Sequence, residues 1–113
     1  MKIIKSKIKI KELNMMSEKM FDNLVKAVVD IEKEIMAVDA SMHADEEAEL
    51  LKIGSKQTNL WGINFYPKKH QKDFIEFDSI INLRPGQNNR SRGVDNPKIR
   101  QKIIKIVNQL VEK

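Results

Sequence analysis

The sequence predicts an α+β fold: a mainly antiparallel sheet of about five strands with three helices, in the order β-α-β-β-α-β-β-α. Three observations carry that expectation. Apolar residues alternate at period two in residues 2–10, 60–66 and 74–84, they recur at helical spacing in residues 97–110, and Gly, Pro and Asn punctuate the joins.

The elements follow in order. Residues 2–10 put Ile4, Ser6, Ile8 and Ile10 on one face and Lys5, Lys7 and Lys9 on the other, a half-buried strand whose lysines suit a sheet edge. From Lys11 the period changes. Leu13, Met16, Met20 and Leu24, with Phe21 beside them, predict an amphipathic helix of about 11–14 residues. Asn23 can close it in a left-handed conformation. Val25, Val28, Val29, Ile31, Ile35 and Val38 predict two strands joined by a tight turn at Glu32-Lys33-Glu34. Residues 44–53 predict a short helix, with Asp45, Glu46 and Glu47 in a first turn whose dipole favours anions, and Gly54 just past its end.

A hairpin is expected next. Trp61, Ile63 and Phe65 alternate with Leu60, Gly62, Asn64 and Tyr66, and residues 67–72 form a polar connection. In the return strand, 74–84, Ile75, Phe77, Ile81 and Leu83 share one face, and Glu76, Asp78, Ile80, Asn82 and Arg84 the other. Pro85-Gly86 ends it, and a polar loop runs to Asp95. Asn96 at the N-cap and Pro97 at the first helical position open the last helix, striped by Ile99, Ile103, Ile106, Val107 and Leu110. The helices are expected to pack on one face of the sheet, and residues 1–113 to form a single domain.

With no cysteine, disulfides, thiolate metal sites and a thiol nucleophile are excluded. No run approaches the roughly 18 apolar residues of a membrane span. Lysines interrupt Met1-Lys2-Ile3-Ile4-Lys5 before a signal-peptide core could form, so a cytoplasmic protein without a membrane partner is expected. The net charge of +5 is unevenly spread. Residues 27–51 hold eight acids against Lys33 alone, whereas residues 84–105 hold seven cations against Asp95 alone. Such a molecule can bind a polyanion on its basic side or pair with a second copy as a homo-oligomer.

Three constellations could carry chemistry. In the loop 84–96 and the helix that follows, Arg84, Arg90, Ser91, Arg92, Lys98 and Arg100 could grip phosphate, arginine by its planar fork and the helix start by its free N–H groups. Asp95 opposes an anion there, and an ordinary polar loop paired with the acidic segment is the competing reading. On the strand 74–84, Glu76 and Asp78 beside Arg84 could act as acid and base, with His43 as a further base, although a wet sheet face looks the same. Asp39, His43 and Asp45, with Glu46 and Glu47, could hold a divalent metal, but the spacing matches no tight metal motif. Trp61 reads as core, while Tyr66 could pack or stack on a base.

Residues 29–47 (VDIEKEIMAVDASMHADEE), 54–67 (GSKQTNLWGINFYP) and 74–100 (FIEFDSIINLRPGQNNRSRGVDNPKIR) resemble a family of small prokaryotic proteins of unknown function. The resemblance spans nearly the whole chain and implies a compact domain; it carries over no catalytic residue, ligand or cofactor. The leading functional expectation is therefore a phosphate- or RNA-binding module using loop 84–100. A hydrolase or endoribonuclease using Glu76, Asp78 and His43 is the first alternative, and a self-associating or protein-interaction domain the second.

Overall fold

The computed structural model describes residues 1–20 and 22–113, so the expectation for Phe21 lies outside the described residues. Strands β1 (Lys2–Ile4), β3 (Val25–Asp30), β4 (Ile35–Val38), β5 (Leu60–Phe65) and β6 (Ile75–Glu76) form an antiparallel sheet in the order β1-β4-β3-β5-β6. Helices α1 (Ile10–Ser17), α2 (His43–Lys52) and α3 (Pro97–Leu110) complete the α+β fold. Short strands β2 (Ile8–Lys9) and β7 (Val111–Glu112) pair in parallel beside the main sheet. No helix among the described residues is long and apolar enough to cross a membrane.

The turn between β3 and β4 falls where Glu32-Lys33-Glu34 predicts it. Asp30, fully buried, explains its rigidity: Oδ1 accepts from the Glu32 and Lys33 amides, each at 2.9 Å, and Oδ2 from the Ser55 hydroxyl at 2.6 Å. Glu34 then takes a left-handed φ of 57° to enter β4. Gly54 ends α2 at φ 100°, and the Asn96 side chain caps α3 by accepting from the Lys98 amide at 2.9 Å, both as predicted.

The helices cover both faces of the sheet, not one. Val25, Ala27 and Val29 of β3, Met36 and Val38 of β4, and Trp61, Ile63 and Phe65 of β5 pack against Leu13 and Met16 of α1 and Ile103, Ile106, Val107 and Leu110 of α3. On the second face Val28, Ile35, Ala37 and Leu60 pack against Leu50 of α2 and Ile81. Strands β4 and β5 are buried at every position, and a strand that is apolar on both sides needs cover on both.

Two further expectations are corrected. Residues 2–10 are not one strand. β1 is the sheet edge, the chain bends at Lys5-Ser6, and Ile8 pairs with Val111, yet Ile4 and Ile8 enter the same core, so one alternating pattern served two strands. Helix α1 stops at Ser17, whose hydroxyl donates to the Asn14 carbonyl at 2.7 Å. Asn23 is left-handed as predicted (φ 54°), but in a turn before β3 and not at a helix end.

The return strand 74–84 shrinks to Ile75–Glu76. At Ser79 the chain leaves the sheet; the Ser79 hydroxyl accepts from the Ile81 amide (3.3 Å) and opens a 3₁₀ turn at Ile80–Asn82. Asn82 then reaches back to β5. Its Oδ1 accepts from the Gly62 amide at 2.8 Å and its Nδ2 donates to the Gly62 carbonyl at 2.9 Å, replacing the neighbour strand. Hence Glu76, Asp78, Asn82 and Arg84 do not form one strand face.

Candidate functional site

Where β6 leaves the sheet, the second face carries a polar row. Lys26 of β3 stands opposite Asn64 of β5, and Asn64 opposite Glu76 of β6. The N-terminus of α2 lies alongside, because the chain crosses from β4 to α2 through Asp39–Met42. Between them opens a cleft of about 500 Å³ whose lining includes Met42, His43, Tyr66, Asp78, Ile80 and Arg92. That volume is within the usual small-ligand range.

His43, the first residue of α2, is 7% exposed. Its Nε2 lies 2.8 Å from the Ile63 carbonyl of β5. A carbonyl only accepts, so Nε2 carries the hydrogen and Nδ1 keeps the lone pair. Burial pushes the imidazole below its ordinary value; the Ile63 carbonyl opposes this, Lys26 adds to it, and Asn64 and Asp78 oppose it. The ring is therefore mainly neutral at pH 7, with the lone pair on Nδ1.

Space for the imidazole comes from Gly62. A Cβ there would stand 2.5 Å from the Ser79 Cβ and 3.2 Å from the His43 Cδ2. Gly62→Ala should therefore destabilise the fold by about 2–4 kcal/mol and displace the imidazole, read as a lower urea midpoint at unchanged slope. A midpoint equal to the native one would show that Ser79 yields freely.

Glu76 is held by two donors: Asn64 Nδ2 at 2.9 Å and the Tyr66 hydroxyl at 3.1 Å, both on Oε1. Desolvation and the Glu76 carboxylate push the Tyr66 phenol above its ordinary value, which keeps it a donor. Asn64 Nδ2 also donates to the Asp78 carbonyl at 3.2 Å, so its amide orientation is fixed. Its Oδ1 is buried without a partner among the described residues. Asp78 pairs with Arg92 at 2.7 Å, an exposed bridge that positions the guanidinium more than it stabilises the fold.

Arg92 reaches the cleft because Asn89 organises its loop. Buried Asn89 Nδ2 donates to the carbonyls of Asn82 (2.7 Å), Ser91 (3.2 Å) and Gly93 (2.8 Å), while Oδ1 accepts from the Asp95 amide at 2.8 Å. The Arg92 carbonyl in turn receives the Ser79 amide (2.9 Å) and Asn82 Nδ2 (2.9 Å).

The cleft thus unites His43, Glu76, Asp78 and Arg92, which the sequence distributes among three separate constellations. Other candidates lie elsewhere. Arg84 donates to the Gln57 and Leu60 carbonyls and stacks 4.2 Å over the Trp61 ring. Arg100 donates to the Val94 carbonyl. Ser91 donates to Asp95, which also accepts from the Arg90 amide, and these bonds hold the Asp95 carboxyl below its ordinary value. The side chains of Arg90 and Lys98 are exposed. Asp39 pairs with Lys19 at 3.6 Å, Asp45 is exposed, and among the described residues no three His, Asp or Glu side chains converge as metal ligands. The sequence reading missed Lys26 and Asn64 as cleft residues, since only strand register reveals them.

Fold and cleft together define a small α+β protein with a polar site set between sheet and helix N-terminus. The chain belongs to the family DUF5674, proteins of unknown function, which it matches over residues 2–110. No curated protein and no solved structure matches it.

Proposed function

We propose that the cleft is the active site of a small enzyme that cleaves a phosphodiester by acid–base chemistry. One observation carries the reading: a neutral imidazole, anchored through Nε2, shares a cleft with an oriented carboxylate and a positioned guanidinium. His43 Nδ1 serves as general base. Arg92 and Lys26 stabilise the charge that develops on phosphate oxygens, and Glu76, held by Asn64 and Tyr66, orients the attacking group.

The test is turnover of bis(p-nitrophenyl) phosphate and of short RNA by the purified chain. His43→Gln should lower kcat by about 100-fold or more, with circular dichroism and the melting temperature reporting that the fold persists. Because burial lowers the imidazole's pKa, the acid limb of kcat/KM should lie below the ordinary histidine value of 6.5. A limb above pH 7, or full activity in H43Q, would remove His43 from the mechanism.

A second reading concerns the rest of the basic segment. Arg90, Lys98, Lys102 and Lys105 are exposed, which supports a surface that binds nucleic acid. Single-stranded RNA should then bind with an affinity that falls with salt, and Arg90→Ala with Lys98→Ala should flatten the log–log slope by about 1.4. Salt-independent binding would sink it. Self-pairing through the acidic segment gains less support, since Asp30 and Glu46 are buried and Asp39 is paired within the chain.

A further inference from the structure

We infer that the cleft takes single-stranded RNA and that His43 takes its proton from a ribose 2′-hydroxyl, an inference that rests on the phosphodiester reading above. Three features of the cleft support it. Two acceptors share the cleft with the imidazole: the Glu76 carboxylate, and Asn64 Oδ1, whose residue is 6% exposed and whose oxygen lacks a donor among the described residues. A buried acceptor left unpaired is unfavourable, so this corner favours a ligand that brings an O–H. Arg92 and Lys26 on the walls suit the neighbouring phosphate.

Two exposed apolar side chains also line the cleft: Met42, 57% exposed, and Ile80, 61% exposed. A flat base seated between them would cover both. The cleft holds a splayed nucleotide and not a duplex, and splayed bases with accessible 2′-hydroxyls are how proteins tell single-stranded RNA from DNA.

The step balances without a further reactant. Nδ1 takes the 2′-hydroxyl proton, the 2′-oxygen forms a bond to the adjacent phosphorus, and the bond from phosphorus to the 5′-oxygen breaks. The departing oxygen takes a proton from water, and the imidazolium returns its proton to the hydroxide formed. The products are a 2′,3′-cyclic phosphate end and a 5′-hydroxyl end.

The experiment compares a short single-stranded RNA, the same strand with one 2′-deoxynucleotide at the cleaved position, its DNA counterpart, and bis(p-nitrophenyl) phosphate. Product ends are read by mass spectrometry. H43Q prepared in parallel must lack the activity, which separates it from contaminating nucleases. The expected result is cyclic phosphate from RNA and at least a 100-fold loss of cutting at the deoxy position. Equal cutting of the deoxy strand, or turnover of the activated diester with RNA left intact, would overturn the hydroxyl and leave phosphodiester cleavage standing. No turnover of any of the four would overturn both.

Discussion

Replacing Asn82 with alanine is expected to cost about 3–5 kcal/mol of unfolding free energy, a large part of the roughly 5–15 kcal/mol that holds a domain of this size. The side chain is fully buried and makes three bonds: it accepts from the Gly62 amide and donates to the Gly62 and Arg92 carbonyls, at 2.8–2.9 Å. It stands where a strand would otherwise pair with β5. Alanine leaves the amide and carbonyl of Gly62 without partners in a space too well packed for easy hydration, and each orphan costs about 1–3 kcal/mol. The melting temperature should fall by roughly 10–20 °C. The phosphodiester cleavage proposed above should slow as well, because Asn82 Nδ2 also holds the Arg92 carbonyl. A loss under about 1 kcal/mol would mean that water enters and takes over the bonds.

Asn82 also shows why part of the fold was hidden in the sequence. Alternation in residues 74–84 is real, yet a 3₁₀ turn with Ile81 inward and Ile80 outward satisfies it as well as a strand does. What decides between them is a side-chain partner twenty positions earlier in the chain, which no local pattern encodes. The last helix is the opposite case. Asn96, Pro97 and the apolar stripe act within a few residues of one another, and α3 forms where they predict it. The turn between β3 and β4 was legible for the same reason. The layering was not, because an apolar run in β3 or β4 does not tell which elements cover each face of the sheet.

The cleft was legible in fragments. His43, Glu76, Asp78 and Arg92 each drew notice by residue type, but nothing in their spacing joins positions 43, 76 and 92. Register joins them: once Lys26, Asn64 and Glu76 face one another across three strands, the entry to α2 and the loop held by Asn89 close over the row. Arg84 and Arg100 misled because a cation-rich loop reads the same whether its guanidinium groups face solvent or satisfy backbone carbonyls.

Glu46→Gln is expected to remove a decline in stability that the native chain suffers as pH rises. Glu46 sits in the first turn of α2, fully buried, with Oε2 accepting from the Ala40 amide at 3.0 Å and Oε1 without a partner among the described residues. Burial raises its carboxyl to about 9 from an ordinary 4.5; the Ala40 bond, Lys26 and the N-terminus oppose the rise, while Asp39 adds to it. The folded chain thus keeps a proton that the unfolded chain has released. For a raised pKa the contribution is complete below the unfolded value and is lost as pH climbs to the folded one, here between about 4.5 and 9. At about 1.4 kcal/mol per pH unit, the native chain loses about 4 kcal/mol between pH 5 and pH 8 through this group. Glutamine keeps the acceptor for Ala40 and cannot ionise. Urea unfolding should find E46Q within about 1 kcal/mol of the native chain at pH 5 and about 4 kcal/mol more stable at pH 8. A difference that stays constant with pH would show instead that Glu46 is ionised in the fold and stabilised by Lys26. In that case removing its charge would weaken the strap from Asp39 to Met42 that carries His43 to the cleft.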